Sequence, residues 1–276
     1  MFDDTKTLTL VAVIGVVTLL WMLSAVISNT AIIDPFWGFG FVIVTSVYIY
    51  KFSSVWSFNQ WVLASMIIVW GLRLSGYLLK RLLHEGIHKE DYRYSAFRRN
   101  DPEHYWWKSL LKVFWLQGLL IWIFSQLMQN ILLDDFTQKE LSSSTLFVIG
   151  VITWFIGLFF ETVGDYQLQV FKANPNNRGK VLDSGLWSLT RHPNYFGDSM
   201  VWIGFALSSL GMNFSTTWYH LFLGPIAMVY LLVRVTGKPL LEKHLAKERP
   251  DYMRYIERTS SFIPMPSQLW RVLGSI

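Results

Sequence analysis

Residues 146–171 read LFVIGVITWFIGLFFETVGDYQLQVF, and this stretch decides the fold. From Leu146 to Phe160 it carries no charge, and two carboxylates, Glu161 and Asp165, then arrive near its end. A helix crosses the hydrocarbon layer in about 20 apolar residues, so the stretch reads as a bilayer span. Comparable runs occur at about 8–28, 34–50, 61–83, 110–133, 195–212 and 219–235. The expected fold is therefore all-α, a polytopic membrane protein of about seven transmembrane helices.

Composition agrees. Of the 276 residues, 52% are hydrophobic and only 16% charged, against about a quarter charged in soluble domains. Cysteine is absent, which removes disulfides, a thiolate nucleophile and cysteine metal sites. The first apolar run follows Met1-Phe2-Asp3-Asp4, an acidic start unlike a secretory signal, and reads as a retained span.

The net charge of +5 comes from cations that segregate. One group, Lys80 to Lys112, follows the third span, and a second, Lys172 to Arg191, follows the fifth. A third runs from Arg234 to Arg271, and together they hold 20 of the 24 lysines and arginines. Seven spans put all three on one side, which the positive-inside rule makes cytoplasmic, with the N-terminus outside and the C-terminus cytoplasmic. One domain, residues 1–276, is expected, with cytoplasmic connectors at 84–109 and 172–194 and a cytoplasmic C-terminal segment at 236–276. Charge sorting of this kind calls for no nucleic acid. The expected partners are the lipid bilayer and a lipophilic small molecule, with no obligate protein partner.

Polar residues inside spans are costly and mark candidate sites. Glu161 and Asp165 are one turn apart and share a helix face that Gln169 and Lys172 roughly continue. The following motif, Arg191-His192-Pro193-Asn194-Tyr195-Phe196-Gly197-Asp198, places a proline where a helix begins. Free N–H groups there and Arg191 suit a phosphate or carboxylate. Arg234, Lys238 and Glu242 repeat the four-residue spacing after the seventh span. Arg73, with Tyr77 one turn on, lies inside the third span and is expected to seek a partner such as Asp34. Arg93 and Arg98 alternate with aromatics in the next connector, a pattern that suits either an adenine and phosphates or a membrane surface. His84-Glu85-Gly86-Ile87-His88 matches H-E-x-x-H, but Gly86 weakens the helix that zinc chemistry requires, and no metal is expected. Gly38 and Gly40 are expected to serve close helix packing.

The run from Ser184-Gly185-Leu186-Trp187 through Arg191 to Asp198 resembles the steroid 5α-reductase C-terminal-like superfamily, and within it the family DUF1295. Asp34-Pro35-Phe36-Trp37-Gly38, Glu90-Asp91-Tyr92-Arg93-Tyr94, Phe160-Glu161 with Asp165, and Phe171-Lys172 extend the likeness over about residues 30–264. The resemblance implies a seven-helix bundle that binds NADPH from the cytoplasmic side and reduces a C=C bond in a steroid-like, sterol-like or other enone lipid. It assigns cofactor contacts to Glu161, Asp165, Lys172, Asn194, Tyr195, Asp198, Arg234 and Lys238, beside which Arg93, Arg98, Arg191 and His192 supply cationic and aromatic groups. It makes Asp34 the acid that faces substrate and leaves Trp70 where the steroid enzymes carry a tyrosine, so that Tyr77 or Tyr195 supplies the proton. The alternative resemblance is to isoprenylcysteine carboxyl methyltransferases, which use S-adenosylmethionine. It rests on residues 191–195, Glu242-Lys243-His244-Leu245 and Pro250-Asp251-Tyr252-Met253-Arg254-Tyr255. Either resemblance suits a bacterial inner membrane or the endoplasmic reticulum, with the cofactor site facing the cytoplasm.

Overall fold

The computed structural model describes residues 2–87, 90–133, 145–212, 219–232, 249 and 251–273. Among the described residues, five helical stretches are long and apolar enough to cross a membrane: Asp4–Ile27, Thr30–Val55, Phe58–His84, Tyr105–Phe124 and Thr145–Ala173. The expected spans at 195–212 and 219–235 coincide with helices Pro193–Met212 and Tyr219–Tyr230. Residues 233–235, and with them Arg234, Lys238 and Glu242, lie outside the described residues. On the long helix Thr145–Ala173 the large apolar side chains Ile152, Phe155 and Phe159 are exposed while Glu161 and Asp165 are buried. Outward apolar and inward polar groups are what a lipid solvent selects. The chain is an integral membrane protein.

The helices gather into two compact units, Met1–Ser143 and Ser144–Ile276. The first holds α1 (Phe2–Ile27), α2 (Phe36–Phe52), α3 (Phe58–Glu85) and α4 (Tyr92–Asn100). It continues through α5 (Tyr105–Ser109), a π-helical turn (Leu110–Trp115), α6 (Leu116–Phe124) and α7 (Gln126–Leu133). The expected single span at 110–133 thus starts earlier and breaks at Ser125, whose hydroxyl donates to the Trp122 carbonyl at 2.8 Å. Ser57 and Gln60 start α3 by a reciprocal capping box. α2 and α3 touch through glycine, since a Cβ on Gly71 would lie 2.7 Å from the Gly38 carbonyl oxygen. Gly38 therefore serves close packing, as the sequence suggests. Deep among α1, α2 and α7 the Gln129 carboxamide accepts from Thr9 (3.0 Å) and Tyr48 (3.1 Å) and donates to Ser125 (2.7 Å). An unpaired amide there would cost several kcal/mol in hydrocarbon, roughly the full desolvation penalty.

The second unit holds α8 (Thr145–Ala173), α9 (Pro193–Met212), α10 (Tyr219–Tyr230), α11 (Tyr252–Arg258) and α12 (Ser267–Leu273). α8 and α9 meet along a seam of glycines. On α8 they are Gly150, Gly157 and Gly164, each seven residues from the next, and on α9 Gly197 and Gly204, again seven apart. A Cβ on Gly157 would lie 2.5 Å from the Val201 amide, one on Gly204 would lie 2.7 Å from the Trp154 amide, and one on Gly197 would strike the Glu161 amide. Backbone packs on backbone here, which only glycine allows.

Candidate functional site

Two clusters gather the residues that the sequence singles out, one in each unit. The first is built around the turn that leads into α2. Residues Thr30–Ile33 form a 3-10 turn capped by Asn29, and Asp34 follows with its carboxylate 15% exposed. Tyr94 donates to Asp34 Oδ1 at 2.7 Å, Arg93 donates to Oδ2 at 3.0 Å, and Arg81 stands 3.5 Å from Oδ2. The Asp34-Pro35-Phe36-Trp37-Gly38 and Glu90-Asp91-Tyr92-Arg93-Tyr94 stretches are therefore direct partners in space. Asp91 caps α4 by accepting from the Arg93 amide at 2.9 Å. Glu90 receives Arg98 in a two-pronged pair (3.0 and 2.8 Å), the Thr30 amide (3.1 Å) and the Tyr105 hydroxyl (3.3 Å). Arg98 also lies over the rings of Tyr105 and Trp106, 4.3 and 4.6 Å from their centroids.

Burial pushes the Glu90 carboxyl up, but the Arg98 hydrogen bonds and charge and the Thr30 amide pull harder and hold it below its ordinary value. Asp91 is lowered in the same way, burial opposing and Arg93 prevailing. Burial and then the Asp34 charge push the Tyr94 phenol well above the usual tyrosine range. Tyr94 is thus a fixed proton-bearing donor to Asp34. Arg93 and Arg98, expected at a cofactor, are engaged with Asp34, Asp91 and Glu90. Arg73 lies over the Tyr77 ring, 5.6 Å from its centroid. α3 ends at Glu85 and Gly86 follows with φ 99°, so the H-E-x-x-H pattern outruns its helix, and His88 lies outside the described residues.

The second cluster forms where α9 begins against the end of α8. Pro193 opens α9, as the sequence suggests, because its fixed φ suits the first turn and its missing N–H is not needed there. A Cβ on Gly164 would come within 3.2 Å of the Asn194 amide, so this turn rests directly on α8. Asn194 Nδ2 donates to Asp165 Oδ1 at 3.1 Å, and Asn194 Oδ1 accepts from the Tyr195 amide at 3.0 Å. One side chain thereby joins the two helices and caps its own turn. Glu161 and Asp165 are 3% and 4% exposed, and Arg191 and His192, which directly precede the α9 start, are buried as well. The His192 and Tyr195 rings lie parallel, 3° apart in tilt with centroids at 5.4 Å. Asp198 is half-buried one turn on, and Lys172 is exposed in the last turn of α8, where a cation suits the helix dipole.

The loop between these helices folds back onto α8. Trp187 Nε1 donates to the Gly164 carbonyl at 3.0 Å, and the Leu186 amide donates to Gln167 Oε1 at 3.0 Å. Gly185, at φ 61°, lets the backbone pass so close that a Cβ would meet the Gln167 carboxamide. Sequence reading places the acids, Asn194 and Tyr195 but misses the glycine seam that brings them together. The signal was present as a seven-residue glycine spacing. It also misses Tyr94 and Glu90, which read as connector residues until Asp34 and Thr30 are seen beside them.

Comparison with known proteins follows the same lines. The family model described as "Protein of unknown function (DUF1295)" matches residues 20–259. A stretch of 63 residues is 46% identical to a probable O-methyltransferase, ustE, of Ustilaginoidea virens, over 23% of this chain and 22% of that protein. A steroid 5-alpha-reductase, DET2, of Gossypium hirsutum is 30% identical over 110 residues, 40% of this chain and 41% of its own. A delta(14)-sterol reductase of Arabidopsis thaliana is 29% identical over 138 residues, 46% of this chain and 33% of its own. The chain thus spans less than half the length of each of these relatives. No solved structure matches it. With its family model covering most of the sequence, and the motifs that carry the likeness packed into these two clusters, the chain belongs to the DUF1295 family.

Proposed function

We propose that the protein is a membrane-embedded reductase that binds NADPH at the 161–198 cluster and reduces a polarised C=C bond in a lipophilic substrate. The observation that carries this reading is the Asn194–Asp165 hydrogen bond across the α8–α9 seam. It fixes a carboxylate, a carboxamide and a phenol-bearing turn in one place. The donor set suits a dinucleotide: Glu161 and Asp165 accept from ribose hydroxyls, Arg191 and Lys172 meet phosphate oxygens, and Asn194 and Asp198 pair with polar ring substituents. Arg234 and Lys238, outside the described residues, are assigned to the same cofactor. NADPH, when bound, supplies the hydride.

Reduction also consumes one proton, and Tyr195 is assigned to hold it at its phenolic oxygen, with His192 stacked alongside to orient the ring. In the first unit, Asp34 is held by Tyr94 and the arginines and belongs to the scaffold. A groove of ≈ 350 Å³ lined by Leu8, Phe39, Val42, Ile43, Val47 and Tyr50 offers an apolar surface suited to a lipid chain. Seven spans with the N-terminus outside put the cofactor cluster on the cytoplasmic face, the side on which NADPH is available.

A second reading, transfer of a methyl group from S-adenosylmethionine, is favoured by the 46% identity to the probable O-methyltransferase. Calorimetric titration of the detergent-purified protein with each cofactor separates the two. NADPH is expected to bind, and Asn194→Ala to weaken it about ten-fold, as loss of one hydrogen bond to a charged group implies. Binding of S-adenosylmethionine alone would replace the reductase by the transferase.

A further inference from the structure

The chain from Trp187 to Arg191 leads straight into the α9 entrance, and a segment far along the sequence holds it. Tyr255 donates its hydroxyl to the Trp187 carbonyl at 2.6 Å and, more loosely, to the Thr190 carbonyl at 3.5 Å. The Arg191 amide donates to the Ser260 carbonyl at 2.9 Å, and the Met265 amide donates to the Leu189 carbonyl at 2.8 Å. The Thr190 hydroxyl donates to the Phe262 carbonyl at 2.9 Å, and Arg258 pairs with Asp183. The Phe262 ring meets Phe196 of the first α9 turn, centroids 6.0 Å apart. Tyr252, Tyr255, Thr259 and Ser260 are all buried.

We infer that residues 252–265 are a positioning strap for the α9 entrance, with Tyr255 as its positioning residue. Loop 178–192 is irregular apart from one 3-10 turn, Gly185–Ser188, so its polar backbone needs partners from outside itself. The strap supplies them at the Leu189 carbonyl, the Thr190 carbonyl (the longer Tyr255 bond) and the Arg191 amide, ending one residue before His192. Burial keeps the Tyr255 phenol protonated well above the usual tyrosine range, with Tyr252 adding to the effect, so its donation persists at any working pH. The α8–α9 seam is held by glycine packing, and the strap's hydrogen bonds end on residues 187–191, outside both helices. Loosening the strap therefore frees the turn that presents Arg191, His192, Asn194 and Tyr195 and leaves the helix pair intact. That role in ligand binding rests on the reductase reading; the hold on the turn does not.

Two full-length variants in detergent test it, Tyr255→Phe and Thr190→Val, each deleting a single donor. Hydrogen–deuterium exchange without any cofactor is expected to quicken about five-fold over residues 187–195, the equivalent of one hydrogen bond, and to stay unchanged over 157–164. NADPH affinity is expected to fall about three-fold or more in the same samples. Unchanged exchange over 187–195 in both variants overturns the strap, as does equal quickening along α8, which signals general loosening. Quicker exchange with unchanged NADPH affinity overturns the positioning role. A wild-type protein that takes no NADPH sinks the reductase reading instead, and the exchange measurement still decides the strap.

Discussion

The two units set their buried carboxylates on different architecture. In the first, Asp34 and Glu90 sit at the ends of helices and are met by arginines and phenols: Arg81, Arg93 and Tyr94 at one, Arg98 and Tyr105 at the other. In the second, Glu161 and Asp165 lie within a helix that packs backbone to backbone on its neighbour, and Asp165 accepts from a neutral carboxamide. An acid matched by an arginine fork is a closed structural unit, because its charge and lone pairs are already used. The Asp165 carboxylate is instead positioned across a glycine seam, by the Asn194 carboxamide on the neighbouring helix. The difference teaches what sets each acid in place: among the described residues, arginine forks hold the helix-end acids of the first unit, whereas close glycine packing sets where the α8 acids stand, the place that the reductase reading assigns to the cofactor.

The comparison breaks first at the seam. Gly197→Val puts a branched side chain against the Glu161 amide, where neither backbone can yield. A loss of about 3 kcal/mol is expected, with NADPH binding lost as well, read as a lower unfolding transition in detergent and an empty titration. A fully stable Gly197→Val protein would show that the seam is loose. Next, Asp34→Ala leaves the buried Tyr94 hydroxyl without its acceptor and Arg93 with Asp91 alone. With Arg93 half exposed, the ion pairs contribute little and the expected cost is about 2 kcal/mol, mostly from Tyr94. Asp34→Asn keeps an acceptor and should recover much of it.

The smallest effect is the pH dependence. Glu90 has a folded pKa below its unfolded value of roughly 4.3, so its contribution is full above that pH and fades as pH falls through the lower folded value. The unfolding transition should drop on acidification below about pH 4, and Glu90→Gln should flatten that limb without steepening it elsewhere. An acid limb unchanged by Glu90→Gln would mean that the Arg98 clamp adds nothing to stability.

Much of this architecture is legible in the sequence, for reasons that differ between residues. Spans are legible because lipid allows only long apolar helices, so 8–28 and 146–171 announce α1 and α8. The α9 start is legible because Pro193 tolerates few other places. The break at Ser125 is not, since a serine in an apolar run carries no sign of whether its hydroxyl will turn back on its own helix. Nor are the Asp34–Tyr94 and Glu90–Thr30 pairings, which join residues about 60 apart in the chain and depend on how α1, α2 and α3 cross. The ion-pair partners of Arg93 and Arg98 are likewise hidden in the sequence. Their alternation with aromatics suits a nucleotide or a membrane surface, and only the fold shows Arg93 beside Asp34 and Arg98 beside Glu90. The Tyr255 contacts lie beyond sequence reading for the same reason as Asp34's.

The most direct test of the seam as a cofactor site is to release and identify by mass spectrometry the nucleotide that accompanies the protein through mild detergent purification. The account predicts NADPH or NADP⁺ near one equivalent with the wild-type chain and much less with Asn194→Ala. S-adenosylmethionine or its demethylated product, in wild type and lost in the same variant, would contradict it.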